Sequence, residues 1–166
     1  MTAIRVGHLY PDYLNIYADR GNIAVLTRRA AWRGHELEVT ALGIGDAVVP
    51  GEHDLYYVGG GQDREQLLVA EDLVRKAEML REAVAGGAAA LAVCGGYQLL
   101  GRGYRGFHGE DMPGIGLLPL ETVSGLKAST RGRKPQKAWQ RFRGNGEVPE
   151  PLRVAVEKVL KVAQAG

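Results

Sequence analysis

Leu91-Ala92-Val93-Cys94-Gly95-Gly96-Tyr97-Gln98-Leu99-Leu100 is the stretch on which the reading of this chain turns. An apolar run from Ala88 to Val93 stops at the only cysteine. Two glycines follow, and a short segment of helical character leads to Gly101. Strand, sharp turn and helix with a nucleophile at the corner is the layout of a nucleophile elbow. The turn forces the side chain into a strained, exposed position, and the glycines let the backbone bend. The first N–H groups of the helix then point at the sulfur and favour the thiolate. The plainer alternative is a small cysteine buried at the end of a core strand. A core cysteine has no need of two glycines directly after it, so Cys94 is read as a catalytic nucleophile.

Upstream, strands and helices alternate. Ile4 to Tyr10 reads as a first strand ended by Pro11-Asp12, and Asn22 as the cap of a helix through Ala31 with Gly34 just past its end. His35 to Thr40 alternates in polarity, as a half-exposed strand near a sheet edge does. Gly43 to His53 is a loop. Asp54 to Val58 is a buried strand that opens into Gly59-Gly60-Gly61-Gln62. From Asp63, the rhythm of Leu67, Val74, Ala77, Leu80 and Val84 predicts a long helix stopped by Gly86-Gly87. This order implies an α/β fold with a mostly parallel, doubly wound sheet covered on both faces. Ligands bind such sheets at the carboxyl ends of the strands. The glycine loop, the Cys94 elbow and the Asp19-Arg20-Gly21-Asn22 turn should all meet there.

Downstream, Gly101 to Gly116 is a glycine-rich loop carrying His108, and Leu117 to Val123 a further strand. Beyond about Gly125 the character changes. Lys127 to Arg143 holds seven Lys or Arg and no acidic residue. Pro149 to Val162 recovers an amphipathic pattern that allows a short helix. The chain is therefore divided into a domain over 1–125 and a divergent basic tail over 126–166.

Composition narrows the function. Of 166 residues 24 are glycine, about twice the usual share of roughly 7%, yet 45% are hydrophobic, so the glycines mark tight turns rather than disorder. A net charge of +2 argues for neither nucleic acid nor a membrane surface. Trp139 and Phe142 are the only aromatics in the basic stretch, and no recognition motif accompanies them. One cysteine excludes an internal disulfide and a cysteine-rich zinc site. The start Met1-Thr2-Ala3-Ile4-Arg5 has no signal-peptide core and no apolar run has bilayer length, so a cytoplasmic protein without membrane insertion is expected.

Thiolate attack on a carbonyl creates an oxyanion, which backbone N–H groups stabilise. Gly95 supplies one donor beside Cys94, and the Gly59-Gly60-Gly61 backbone supplies another. A phosphate cradle is the competing use of a glycine run, but no Lys-Ser/Thr pair follows to complete a P-loop. A cysteine hydrolase also needs a base. His8, His35, His53 and His108 are the four histidines, and none stands downstream of His108. Position alone makes each a surface or loop residue rather than a base.

Tyr10-Pro-Asp-Tyr-Leu-Asn-Ile-Tyr-Ala-Asp-Arg-Gly-Asn22, Gly59-Gly-Gly-Gln-Asp-Arg-Glu-Gln66, Cys94-Gly-Gly-Tyr-Gln98 and Gly114-Ile-Gly-Leu-Leu-Pro-Leu-Glu-Thr-Val123 together resemble class I glutamine amidotransferases. The branch is the one shared with cobyric acid synthase, and the motifs look most like those of the glutaminase subunits of lipid II isoglutaminyl synthases. The resemblance covers about the first three quarters of the chain, with the motifs in the family's order. It implies a flavodoxin-like glutaminase domain in which Cys94 attacks the glutamine side-chain amide, releases ammonia and forms a thioester that water hydrolyses. Gly60 and Gly95 take the oxyanion role. The ammonia would pass to a Mur-ligase-like subunit in a heterodimer, which amidates D-glutamate of lipid II during peptidoglycan synthesis. ATP and magnesium would act only in that partner, with no metal or cofactor in this chain.

Two features of the family have no counterpart here. Its catalytic histidine lies in an Asn-His-Gly-Gly-like motif absent from these residues, and neither Arg131 nor Arg133 sits in surroundings that match its glutamine-binding arginine. The resemblance stops near Gly125, as a truncated or divergent end would make it do. Weak or absent glutaminase turnover is therefore expected of these residues. The alternative is a non-catalytic module of the same fold that docks on a ligase-like partner. A third reading is a cysteine hydrolase or redox sensor using Cys94 with His108.

Overall fold

The computed structural model describes residues 2–15, 19–105 and 111–123. His108, Arg131, Arg133 and the whole 126–166 tail lie outside the described residues.

Four strands form one parallel sheet: β1 (Thr2–Leu9), β2 (His35–Leu42), β3 (Leu55–Val58) and β4 (Ala89–Ala92). Their spatial order is β2-β1-β3-β4, so the sheet grows from β1 first to one side and then to the other. Parallel crossovers are right-handed. Helix α1 (Asp19–Ala31), between β1 and β2, and helix α2 (Asp63–Ala85), between β3 and β4, therefore cover opposite faces. This is flavodoxin-like winding, as expected, and its switch point lies between β1 and β3. β2 is an edge strand, as expected; exposure follows the alternating polarity over His35–Glu38, but Val39 and Ala41 are exposed beside the polar Glu38 and Thr40.

The main core fills the α2 face. Leu9, Leu42, Tyr56 and Val58 from the sheet pack with Val69, Ala70, Leu73, Ala77 and Leu80 of the helix. α2 begins at Asp63 and gives way to Gly86-Gly87, as its rhythm predicts. The buried stripe differs from the predicted one. Leu67 and Val74 are exposed, while Gln66, Asp72 and Lys76 occupy inward positions. Hydrophobic periodicity cannot register polar residues whose partners lie on other elements.

Three further corrections concern boundaries. Asn22 does not cap α1, which starts at Asp19. From the first turn its side-chain amide instead donates to the Tyr57 hydroxyl at 2.9 Å, a tertiary bond that displaces the capping role. The stretch read as a glycine loop contains β5 (Gly103–Arg105) and β6 (Asp111–Pro113), paired antiparallel and each too short to show a period. The strand expected over Leu117–Val123 shrinks to β7 (Thr122–Val123), parallel to β5.

The reason for that shortening bears on the elbow. Helix α3 (Gly95–Leu100) leaves its last carbonyls without helical partners. Ile115, Gly116 and Leu118 donate their N–H groups to Leu99, Gly101 and Leu100, at 2.9, 2.7 and 2.9 Å. The backbone of 115–118 is committed to those carbonyls, and Pro119 has no N–H to give. Met112 and Ile115 are buried in the main core, so this segment braces α3 from behind.

Candidate functional site

Cys94 stands between β4 and α3 with φ 51° and ψ −114°. Among the described non-glycine residues only Tyr10 and Cys94 have positive φ. Such a backbone costs an L-residue of order 1–3 kcal/mol and persists only where its surroundings enforce it. Three bonds do so. Val93 donates to Val58 O at 3.0 Å, and Tyr97 and Gln98 donate back to Cys94 O at 3.1 and 3.4 Å. The thiol is free and exposed. The sequence therefore located the turn, its strain and its accessibility.

The elbow is fastened to the glycine loop that follows β3. Gly59, Gly60 and Gly61 are all buried. Gly96 donates its N–H to Gly59 O at 3.0 Å, joining the first turn of α3 to the loop. A Cβ on Gly96 would lie 2.5 Å from Val58 O and 2.7 Å from Gly59 O, both fixed backbone atoms. Gly96→Ala should therefore lower stability by about 1–3 kcal/mol, as overpacking does. Thermal melting checks this, and a variant melting with the wild type would show that the two segments separate freely.

Gly95 is buried, and its N–H donates to no group among the described residues. It sits one residue past the thiol, at the start of α3. The structure thus brings together Cys94, Gly95 and the loop containing Gly60, all at the carboxyl edge of β3 and β4.

The histidines are placed elsewhere. His35 opens β2 and His53 precedes β3, so both belong to the amino edge of the sheet. His53 is buried with its ring 5.4 Å from that of Tyr56. His8 lies inside β1, buried edge-on to Tyr57 at 5.0 Å. β1 is two strand spacings from β4, about 10 Å. None of these three is positioned as a base for Cys94. Among the described residues no group of three or more His, Cys, Asp or Glu could hold a metal, and no helix is long and apolar enough to cross a membrane.

Sequence reasoning missed the roles of two buried residues on the carboxyl side of the sheet, of which Gln66 touches the site. Gln66, in the first turn of α2, is 2% exposed and reaches both the glycine loop and Gly95. Tyr10, just past β1, is fully buried, and its hydroxyl donates to Asp72 at 2.8 Å. Burial, and then the Asp72 carboxylate, push its phenol far above the ordinary range. The glutamine was visible as a polar residue on a predicted helix, but nothing local marks it as inward.

Comparison with known proteins agrees with this geometry. The model of the CobB/CobQ-like glutamine amidotransferase domain matches residues 5–146. The chain is 36% identical over 124 residues to the lipid II isoglutaminyl synthase (glutamine-hydrolyzing) subunit GatD of Staphylococcus aureus, covering 75% of this chain and 51% of that protein. Against the GatD subunit of Streptococcus pneumoniae the identity is 35% over 121 residues, covering 73% and 46%. A cobyric acid synthase from Synechococcus is 34% identical over 95 residues, covering 54% of this chain and 19% of that enzyme. The chain thus spans about half the length of the GatD subunits it matches. With a family match across most of its length and an elbow and glycine loop where such a domain needs them, the chain belongs to the CobB/CobQ-like glutamine amidotransferases.

Proposed function

We propose that this chain is the glutamine-hydrolysing part of a lipid II isoglutaminyl synthase. The Cys94 thiolate attacks the side-chain amide carbon of glutamine, and the Gly95 and Gly60 N–H groups receive the oxyanion. Collapse expels ammonia and leaves a γ-glutamyl thioester on the sulfur, which water hydrolyses to glutamate. The ammonia serves a Mur-ligase-like partner in a heterodimer, where ATP and magnesium activate the D-glutamate carboxylate of lipid II. This chain itself needs no metal or cofactor for its half-reaction.

The observation that carries the reading is the strained Cys94 turn bonded through Gly96 to the glycine loop. It rests also on the two GatD relatives, whose names specify glutamine hydrolysis. With His35 and His53 on the far edge, His8 buried two strands away and the family's Asn-His-Gly-Gly-like motif absent from the sequence, slow or no ammonia release is expected of these residues. A rate unchanged by His108→Ala would exclude His108, which lies outside the described residues, as a substitute base.

The chloromethyl ketone analogue of glutamine tests the half-site without needing turnover. The thiolate displaces chloride from its terminal carbon, giving a thioether while the ketone oxygen takes the place of the amide oxygen. Mass spectrometry should find one adduct, on Cys94, formed more slowly in excess L-glutamine but not in excess L-glutamate. Labelling indifferent to glutamine would mean that Cys94 does not face a glutamine site.

A further inference from the structure

We infer that Gln66 is a positioning residue that sets the separation of the two oxyanion donors. The inference rests on the glutaminase reading. Gln66 is joined to the glycine loop by a hydrogen bond from Nε2 to Gly61 O at 2.9 Å. The same amide lies directly over Gly95. A Cβ there would stand 2.5 Å from Nε2 and 2.6 Å from Cδ of Gln66. One planar group therefore touches both segments, and it stands between Gly61 O and Gly95 beside the Gly96–Gly59 bond that also joins them. Removing it would leave the Gly96–Gly59 bond in place but take away the spacer between Gly61 and Gly95, and donors aimed at a developing charge lose effect steeply with misplacement.

Stability alone does not account for this residue. Oε1 is buried and has no hydrogen-bond partner among the described residues, and an unpaired buried acceptor is unfavourable. Methionine has similar length and volume and would fill the space, exchanging the unpaired Oε1 for a Gly61 O without its donor. Gln66 keeps a destabilising half-amide in order to hold Gly61 O from one side and Gly95 from the other.

The test compares two alkylating agents on the full chain. Iodoacetamide reports the reactivity of the Cys94 thiol, whereas the glutamine chloromethyl ketone also requires the oxyanion donors, so the ratio of their rates isolates the donors. Gln66→Met should melt near the wild-type temperature while the ratio falls roughly tenfold to a hundredfold. Gln66→Glu supplies a readout that a purely structural role would not move. A carboxyl buried at this position titrates upward, and only its protonated form can donate to Gly61 O. Its ratio should therefore climb toward the wild-type value as pH is lowered from about 8 to about 5, while the ratios of wild type and Gln66→Met stay level; the thiol's own titration cancels. An unchanged ratio in Gln66→Met overturns the inference, and if that variant does not fold, a pH-independent ratio in Gln66→Glu overturns it. A wild-type chain with no preference for the glutamine analogue would instead defeat the glutaminase reading on which the inference stands.

Discussion

Cys94→Gly should abolish reaction with the glutamine chloromethyl ketone and at the same time raise the melting temperature. Loss of reaction follows from loss of the chain's only thiol. The gain in stability follows from the backbone. At φ 51° and ψ −114° an L-residue is held where its Cβ crowds the neighbouring peptides, while glycine enters this region freely. Relief of roughly 1–3 kcal/mol is partly offset by about 0.5–1 kcal/mol for the extra freedom glycine gives the unfolded chain. The net is about 1 kcal/mol in favour of the folded state, or some 2–4 °C for a chain of this size. Cys94→Ala is the control. It loses the thiol and keeps the strain, and because the side chain is exposed it gives up little packing. Side-by-side melting curves decide the matter: a glycine variant no more stable than the alanine variant would mean that the turn stores no strain.

The elbow was legible because its signals are local. A run of apolar residues, a lone nucleophile and two glycines occupy ten consecutive positions, and each has one physical meaning there. The parallel sheet was legible for a related reason. Tyr56 to Val58 and Val6 to Leu9 are buried on both faces, which leaves near-continuous apolar runs in the sequence. Gly86-Gly87 stopped α2 where expected.

What stayed hidden depends on partners far away along the chain. Asn22 has the chemistry of a cap but finds Tyr57, 35 residues on. Tyr10 reaches Asp72 across 62 residues, and Lys76 reaches Gly43 O across 33. Gln66 reads as a helix-surface residue until Gly61 and Gly95 are placed around it. β5 and β6 are three residues each, shorter than any alternation can reveal. Glycines at 101, 103, 114 and 116 suggested a loop, whereas that segment supplies a small sheet and the brace under α3.

The largest effect on stability is expected at Asp72. Its carboxylate accepts hydrogen bonds from the Tyr10 hydroxyl at 2.8 Å, from the Gly45 N–H at 3.1 Å and from Lys76 Nζ. Lys76 also donates to Gly43 O at 3.1 Å. Asp72 and Lys76 are 4% and 6% exposed, so this is a buried ion pair, whereas Arg75, which also contacts the carboxylate, is mostly exposed and adds little. The group ties α2 to the loop after β2 and to the strained Tyr10 after β1, at the switch point of the sheet. Asp72→Ala leaves Lys76 buried without its counter-charge and should cost about 3–5 kcal/mol, lowering the melting temperature by roughly 10 °C. The penalty belongs chiefly to the stranded cation, so the double variant Asp72→Ala, Lys76→Met should recover much of the loss. A double variant no more stable than Asp72→Ala would show that the hydrogen bonds to Tyr10 and Gly45, not the buried charge, dominate. The pH dependence has a definite sign. Burial raises the affinity of Asp72 for its proton, but the bonds from Lys76, Tyr10 and Gly45 and the charge of Lys76 outweigh it, so the folded carboxyl titrates below its ordinary value. Its stabilisation is therefore complete above the unfolded value of about 3.9 and is lost as pH falls through the lower, folded one. Wild type should lose this component on acidification below about pH 4, and Asp72→Ala, which never had it, should fall less steeply over the same range.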